Sequence, residues 1–242
     1  MPRMLFIVVF CLLGLRAEAD DQVNDERPLI LLLFGPPGTG RDALVVKLSN
    51  TVSLPYISCA DLLLDESDDD TALGKKTREC LLVGKTVPDE LILDLLKKRI
   101  CHSDMTRGFI LDGFPRSLEQ AQLLQNTLSL THRFFVASIR VTDDWLISDR
   151  EARLVCTECG RVYHLQQSPP QNQAICDFCD SVLVQRDEDS QENVKKQCES
   201  YRQQMLPIIQ FYSEKKLLVE VSGDRPFEDV LQELKTLTIS KK

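Results

Sequence analysis

LILLLFGPPGTGRDAL, Leu29 to Leu44, passes from six apolar residues into a glycine-rich turn and then into a helical pattern. An apolar run this continuous suits a parallel strand buried on both faces. Gly35, Gly38 and Gly40 let the backbone turn tightly and aim successive N–H groups at an anion, and the helix that follows adds the positive end of its dipole. Strand, glycine loop and helix in that order read as a phosphate cradle, with a purely structural Gly/Pro turn as the alternative. Two residues depart from what such a loop carries. Arg41 stands where Lys is usual, keeping the charge on a larger planar fork, and Ala43 brings no hydroxyl for phosphate or metal. Asp42 adds a negative charge beside the place of the phosphates.

Outward from this stretch, short apolar runs recur at Gly108 to Gly113, Phe134 to Val141 and Leu217 to Ser222, with Tyr56 to Ser58 as a fifth. Helical patterns lie between them. Strand alternating with helix predicts an α/β, three-layer fold on a five-stranded, mainly parallel sheet with right-handed crossovers. Ligands of such sheets sit outside the carboxyl ends of the strands, where the Gly35 loop and the Asp112-Gly113 corner fall. Two segments break the alternation: residues 58–87, helical with the acidic run Asp65 to Asp70, and residues 154–185, which hold two cysteine pairs. Both read as insertions over the sheet edge, dividing the core into residues 29–57, 88–153 and 186–242.

The N-terminus has a different character. Arg3 precedes the apolar run Leu5 to Leu15, and Ala17-Glu18-Ala19 stands before Asp20, so residues 1–19 have the pattern of a secretory signal peptide, followed by a polar segment, residues 20–28. This predicts a secretory-pathway or extracellular location. An uncleaved anchor, or a misread start with a mitochondrial or cytoplasmic location, are the alternatives. The run is shorter than the roughly 20 apolar residues of a membrane span, so no membrane association is expected after cleavage. The formal charge of −8 becomes −9 without residues 1–19, which carry two Arg and one Glu (−8 − 2 + 1). A chain this acidic makes a poor general binder of nucleic acid or anionic membranes. Any phosphate site must rest on a local basic cluster.

Four of the nine cysteines fall in the spacing C-x2-C-x16-C-x2-C, as Cys156, Cys159, Cys176 and Cys179. Two such knuckles can close a tetrahedral Zn²⁺ site with no open position, hence a structural one. Two disulfides are the alternative, favoured by an oxidising lumen.

GPPGTG, then DGFPR at Asp112 to Arg116 and Gln120, resembles the signature of the adenylate kinase family. The likeness extends through YISCADLL (Tyr56 to Leu63), LGKKTRECLLVGKTVPDELI (Leu73 to Ile92), GRVYH (Gly160 to His164) and RDEDSQENVKKQ (Arg186 to Gln197). It implies a P-loop kinase fold in which residues 58–87 form a monophosphate-binding insertion and residues 154–185 a β-rich, zinc-bearing lid. It also implies a monomer transferring a phosphoryl group between ATP and AMP, giving ADP, with Mg²⁺. By that likeness Arg116 holds the AMP phosphate, Gln120 and Gly113 recognise adenine, and Asp112 orients magnesium through water. Arg41, Arg153 and Arg186 surround the transferring phosphoryl. Thr39, Asp42, Ala43, Cys59, Lys85, Val87 and Arg150 complete the nucleotide-binding positions with the loop glycines.

Against the same pattern, Leu64 takes the place of a second AMP-phosphate arginine, Gln197 that of a catalytic arginine, and Asp149 that of the arginine stacked over the ATP adenine. Arg150 lies one residue on, about 100° around a helix, and would take over the stacking role only with a shift of register. Removing one charge-stabilising donor typically costs about 10²- to 10³-fold in rate. The acidic run beside Leu64 is expected to repel an anionic monophosphate. Three functions stay open: a slowed nucleotide kinase, a nucleotide-binding relative that has lost phosphotransfer, and a zinc-stabilised interaction protein of the secretory pathway.

Overall fold

The structure, a computed structural model, describes residues 25–82, 87–172 and 174–241; residues 1–19, with the expected signal peptide, and Lys85 lie outside them. The apolar runs become the strands of one sheet: β1 (Leu29–Phe34), β2 (Tyr56–Ser58), β3 (Gly108–Asp112), β4 (Arg133–Arg140) and, last in the chain, β8 (Leu218–Ser222). Their order is β2-β3-β1-β4-β8, and every neighbouring pair is parallel. The expected five-stranded parallel sheet is therefore present, with β1 at its centre.

Alternation along β1 builds the layers. Ile30, Leu32 and Phe34 face one side, where α4 (Asp89–Ile100), α5 (Leu118–Leu128) and α7 (Gln191–Glu214) supply Leu93, Leu96, Leu124, Ile208 and Tyr212. Leu29, Leu31 and Leu33 face the other, against Leu44, Val45 and Leu48 of α1 (Arg41–Val52) and Val230 and Leu234 of α8 (Phe227–Ser240). All six strand residues are buried, each worth about 1.5–3 kcal/mol relative to exposure, which is why the run tolerates no polar residue.

Helix starts are marked in the sequence. Ser117 Oγ accepts from Gln120 N–H at the head of α5, and Thr142 Oγ1 from Trp145 N–H at the head of α6 (Asp143–Glu151), whose Asp143 and Asp144 complement the dipole. Trp145 packs beside buried Leu146 and Ile147. Between β2 and α4 the chain forms α2 (Cys59–Asp68) and α3 (Ala72–Leu82). Between α6 and α7 it forms a separate antiparallel sheet, β6-β5-β7, from β5 (Arg153–Cys156), β6 (Val162–His164) and β7 (Leu183–Val184). No helix among the described residues is long and apolar enough to cross a membrane.

Candidate active site

The carboxyl ends of β1 and β3 open into a cavity of about 700 Å³. Its walls are the Gly35 loop, the Asp112 to Arg116 corner, Arg150 and Arg153 from the α6 end, and Tyr201, Gln204 and Met205 from α7. Gly38 and Gly40 have φ of +94° and +71°, a region disfavoured for other residues, so the loop needs glycine there.

Four arginines reach the cavity. Arg41 bonds Asp112 through Nη1 and Asp42 through Nη2, the latter at 2.7 Å. Asp112 also accepts from Tyr56 Oη at 3.0 Å. Burial and the neighbouring Asp112 push the Tyr56 phenol up to about 12, so it remains a donor. Arg116 Nε donates to Gly113 O at 2.9 Å, while Gln120 accepts from Arg116 N–H at 2.6 Å and donates to Asp89 at 2.7 Å. Arg153 Nη2 donates to Gly38 O at 2.7 Å and to Asp149 at 2.5 Å. Arg150 is buried beside Gly38, paired with Asp189 at 2.6 Å and donating to Gln197 Oε1 at 3.1 Å. Thus Asp149 and Arg150 divide: Asp149 turns to a recess of about 90 Å³ shared with Thr39, Trp145, Gln167 and Phe227, and Arg150 to the main cavity.

Other expected positions lie apart from the cavity lining. Arg186 is paired with Glu188 at 3.0 Å. Cys59 is buried at the head of α2, and burial pushes its thiol up to about 12. Val87 is buried before α4. Leu64 is exposed on α2, and the acidic run is partly neutralised: buried Glu66 pairs with Lys98 at 2.7 Å and Asp70 with Lys75 at 2.9 Å. The repulsion expected from five acids is therefore reduced by lysines that the run itself does not contain.

Three contributors were missed by sequence reading. Tyr201 and Gln204 sit in the long α7, whose amphipathic pattern marks a core helix and nothing more. His164, the last residue of GRVYH, meets Asp149 at 3.2 Å and accepts backbone N–H groups of Gln166 and Gln167 at Nδ1.

The four paired cysteines converge in the small sheet: their Sγ atoms lie within 4.8 Å of one another, with Cys156 to Cys179 at 3.3 Å and Cys159 to Cys176 at 3.6 Å. Zn–S bonds of about 2.3 Å in a tetrahedron put sulfurs just under 4 Å apart, so the set fits a tetrahedral metal. Tyr163 Oη accepts from Asp177 N–H and is left to donate to Cys176 Sγ at 3.4 Å, which draws that thiol down to about 6. Such donors stabilise thiolate ligands.

A family model described as "Adenylate kinase" matches residues 33–217. Curated relatives named "Adenylate kinase" include that of Caldicellulosiruptor bescii, 38% identical over 86% of this chain and 99% of its own length. The proteins of that name from Methanocella arvoryzae and Oceanobacillus iheyensis are each 36% identical, covering 84% and 87% of this chain and 95% and 99% of their own lengths.

Proposed function

Because the chain belongs to the adenylate kinase family, a family of nucleotide kinases, we propose that it transfers a phosphoryl group between ATP and AMP, forming ADP, at a reduced rate. The observation that carries this reading is the convergence of the glycine loop, the Asp112 to Arg116 corner and four arginines on one cavity. Phosphoryl transfer asks little covalent chemistry of the protein and much positioning and charge stabilisation. On this reading the loop N–H groups and Arg153 hold the donor phosphates, and Arg116, set by Gly113 O and Gln120, holds the acceptor phosphate. The α2–α3 pair serves as the monophosphate-binding insertion, and the small sheet as the lid.

Mg²⁺ would be held by the donor phosphates and, through water, by Asp112, where it would neutralise charge on the phosphoryl oxygens. Few cavity carboxylates, Asp112 and the exposed Asp42 beside the loop, suit a cation that keeps most of its waters. Arg41 already engages Asp112, so nucleotide and metal must compete with an internal ion pair. That pairing, with exposed Leu64 and uncharged Gln197, supports a reduced rate. Taken further, it supports the second reading, a nucleotide-binding protein without turnover.

Zinc at the four lid cysteines, a monomeric state and a secretory-pathway location complete the proposal. The cysteine geometry supports the first and the pattern of residues 1–19 the last. The test is purified chain with ATP, AMP and Mg²⁺, following ADP. Formation dependent on AMP supports phosphotransfer. ATP binding without ADP selects the second reading, and binding of neither nucleotide leaves a structural role for the fold.

A further inference from the structure

Arg150 is only 9% exposed, and its two terminal nitrogens are committed to Asp189 and Gln197. Its Nε is buried without an acceptor among the described residues. A buried guanidinium N–H left unpaired is costly, and such groups in native structures call for a partner. This nitrogen lies against Gly38: a Cβ placed there would run into Arg150 Nε and stand 2.8 Å from Cζ. Gly38 also presents its carbonyl to Arg153, so the loop is gripped from both sides by arginine. Arg150 lines the main cavity, whereas Asp149 and Trp145 line the smaller recess across the loop.

We infer that Arg150 is a phosphate-contacting residue, its Nε–H donating to a phosphate oxygen of the nucleotide seated on the Gly38 turn. It is not a platform for the base. Asp189, itself buried, fixes the guanidinium before the ligand arrives, and Gln197 accepts from Arg150 where a second cation would repel it. The pair with Asp189 cancels much of the net charge, so Arg150 acts as a directed donor more than as a long-range attractor. This rests on the cavity binding nucleotide phosphates.

The test compares ATP with inorganic tripolyphosphate, which has no base, by titration calorimetry on the whole chain. Removing Arg150 alone would strand buried Asp189. The variants are therefore Arg150→Lys, which keeps the charge without the guanidinium, and Arg150→Met with Asp189→Asn, which removes both charges. Each is checked for folding by its thermal transition. Loss of a charge-assisted hydrogen bond weakens both probes by a similar factor, about 10- to 100-fold. If the double variant does not fold, Arg150→Lys carries the comparison with a loss of about tenfold. Unchanged tripolyphosphate affinity in the folded variants overturns the inference, whether or not ATP weakens; ATP weakening alone would put Arg150 on the base. Wild-type chain that binds neither probe overturns both the inference and the nucleotide reading. Wild-type binding that the variants leave intact overturns the inference only.

Discussion

Gly38→Ala probes the contact between loop and helix on which the site depends. Two costs are separable. The backbone there has φ of +94°, and an L-residue in the left-handed region costs about 1–2 kcal/mol. The new Cβ also meets Arg150 Nε and Cζ, and Arg150 can withdraw only by disturbing a buried pair with Asp189. Overpacking of this kind costs about 1–3 kcal/mol. The sum, about 2–5 kcal/mol, lowers Tm by about 4–20 °C at roughly 2–4 °C per kcal/mol for a chain of this size. A double-mutant cycle isolates the second cost. In an Arg150→Ala, Asp189→Asn background only the backbone cost remains, so the coupling between the sites is about 1–3 kcal/mol. Urea unfolding of the four proteins without nucleotide measures it. Equal destabilisation by Gly38→Ala in both backgrounds would refute the packing of Arg150 on the loop.

Leu64→Arg adds a cation at an exposed position, so stability should change by less than about 0.5 kcal/mol. The KM for AMP should fall about tenfold with that for ATP unchanged, and a fall in neither places α2 away from the acceptor phosphate. Asp42→Asn removes a negative charge beside the loop and loosens Arg41; ATP affinity should rise a few-fold, less so at high salt, and a loss of affinity would contradict the placement of the phosphates. Metal analysis should find about one zinc per chain, and chelation should make the small sheet protease-sensitive, because its apolar core holds little beyond Tyr163, Leu183 and the cysteines themselves. Blocked thiols without metal would indicate disulfides instead. The Cys59 thiol, raised to about 12 by burial, disfavours ionisation in the folded state, so its stabilising effect is complete below the unfolded value near 9 and is lost as pH rises towards 12. Cys59→Ser should flatten the alkaline fall in stability over that window, and an unchanged alkaline limb would argue against its burial.

The sheet was legible because strands buried on both faces must be apolar throughout, and all five appear within one or two residues of the expected bounds. Charge enters where burial ends: Arg133 opens β4 at the amino-terminal end of the sheet, where its guanidinium donates to the carbonyls of Arg27 and Lys241, and Glu220 lies exposed on the edge strand β8, paired with Arg140. Within the site, Gly38 and Gly40 were legible because the left-handed backbone there demands glycine, whereas the Asp112 to Arg116 corner was legible from its place at a strand's carboxyl end and its likeness to the family signature. Arg150 was legible as a candidate but not in its role. Expecting it to replace a neighbour one position away required a shifted helix, whereas its own direction, 100° round, points at Gly38. Asp189 and Gln197, which hold it, arrive from segments about forty residues later, and no local pattern announces that meeting. Tyr201 illustrates the same limit: burial pushes its phenol up to about 12, and its side chain lines the cavity, yet in the chain it is one more aromatic on a long amphipathic helix.

The most direct measurement is the turnover of ATP and AMP to ADP, with Mg²⁺, by the chain from Asp20 onward. The account predicts ADP formation that requires AMP, is abolished by Arg116→Ala, and runs below the usual kinase range of about 1–100 per second. Turnover within that range would contradict the claim that thinned positive charge limits this site, and no ADP with no binding of either nucleotide would contradict the nucleotide reading altogether.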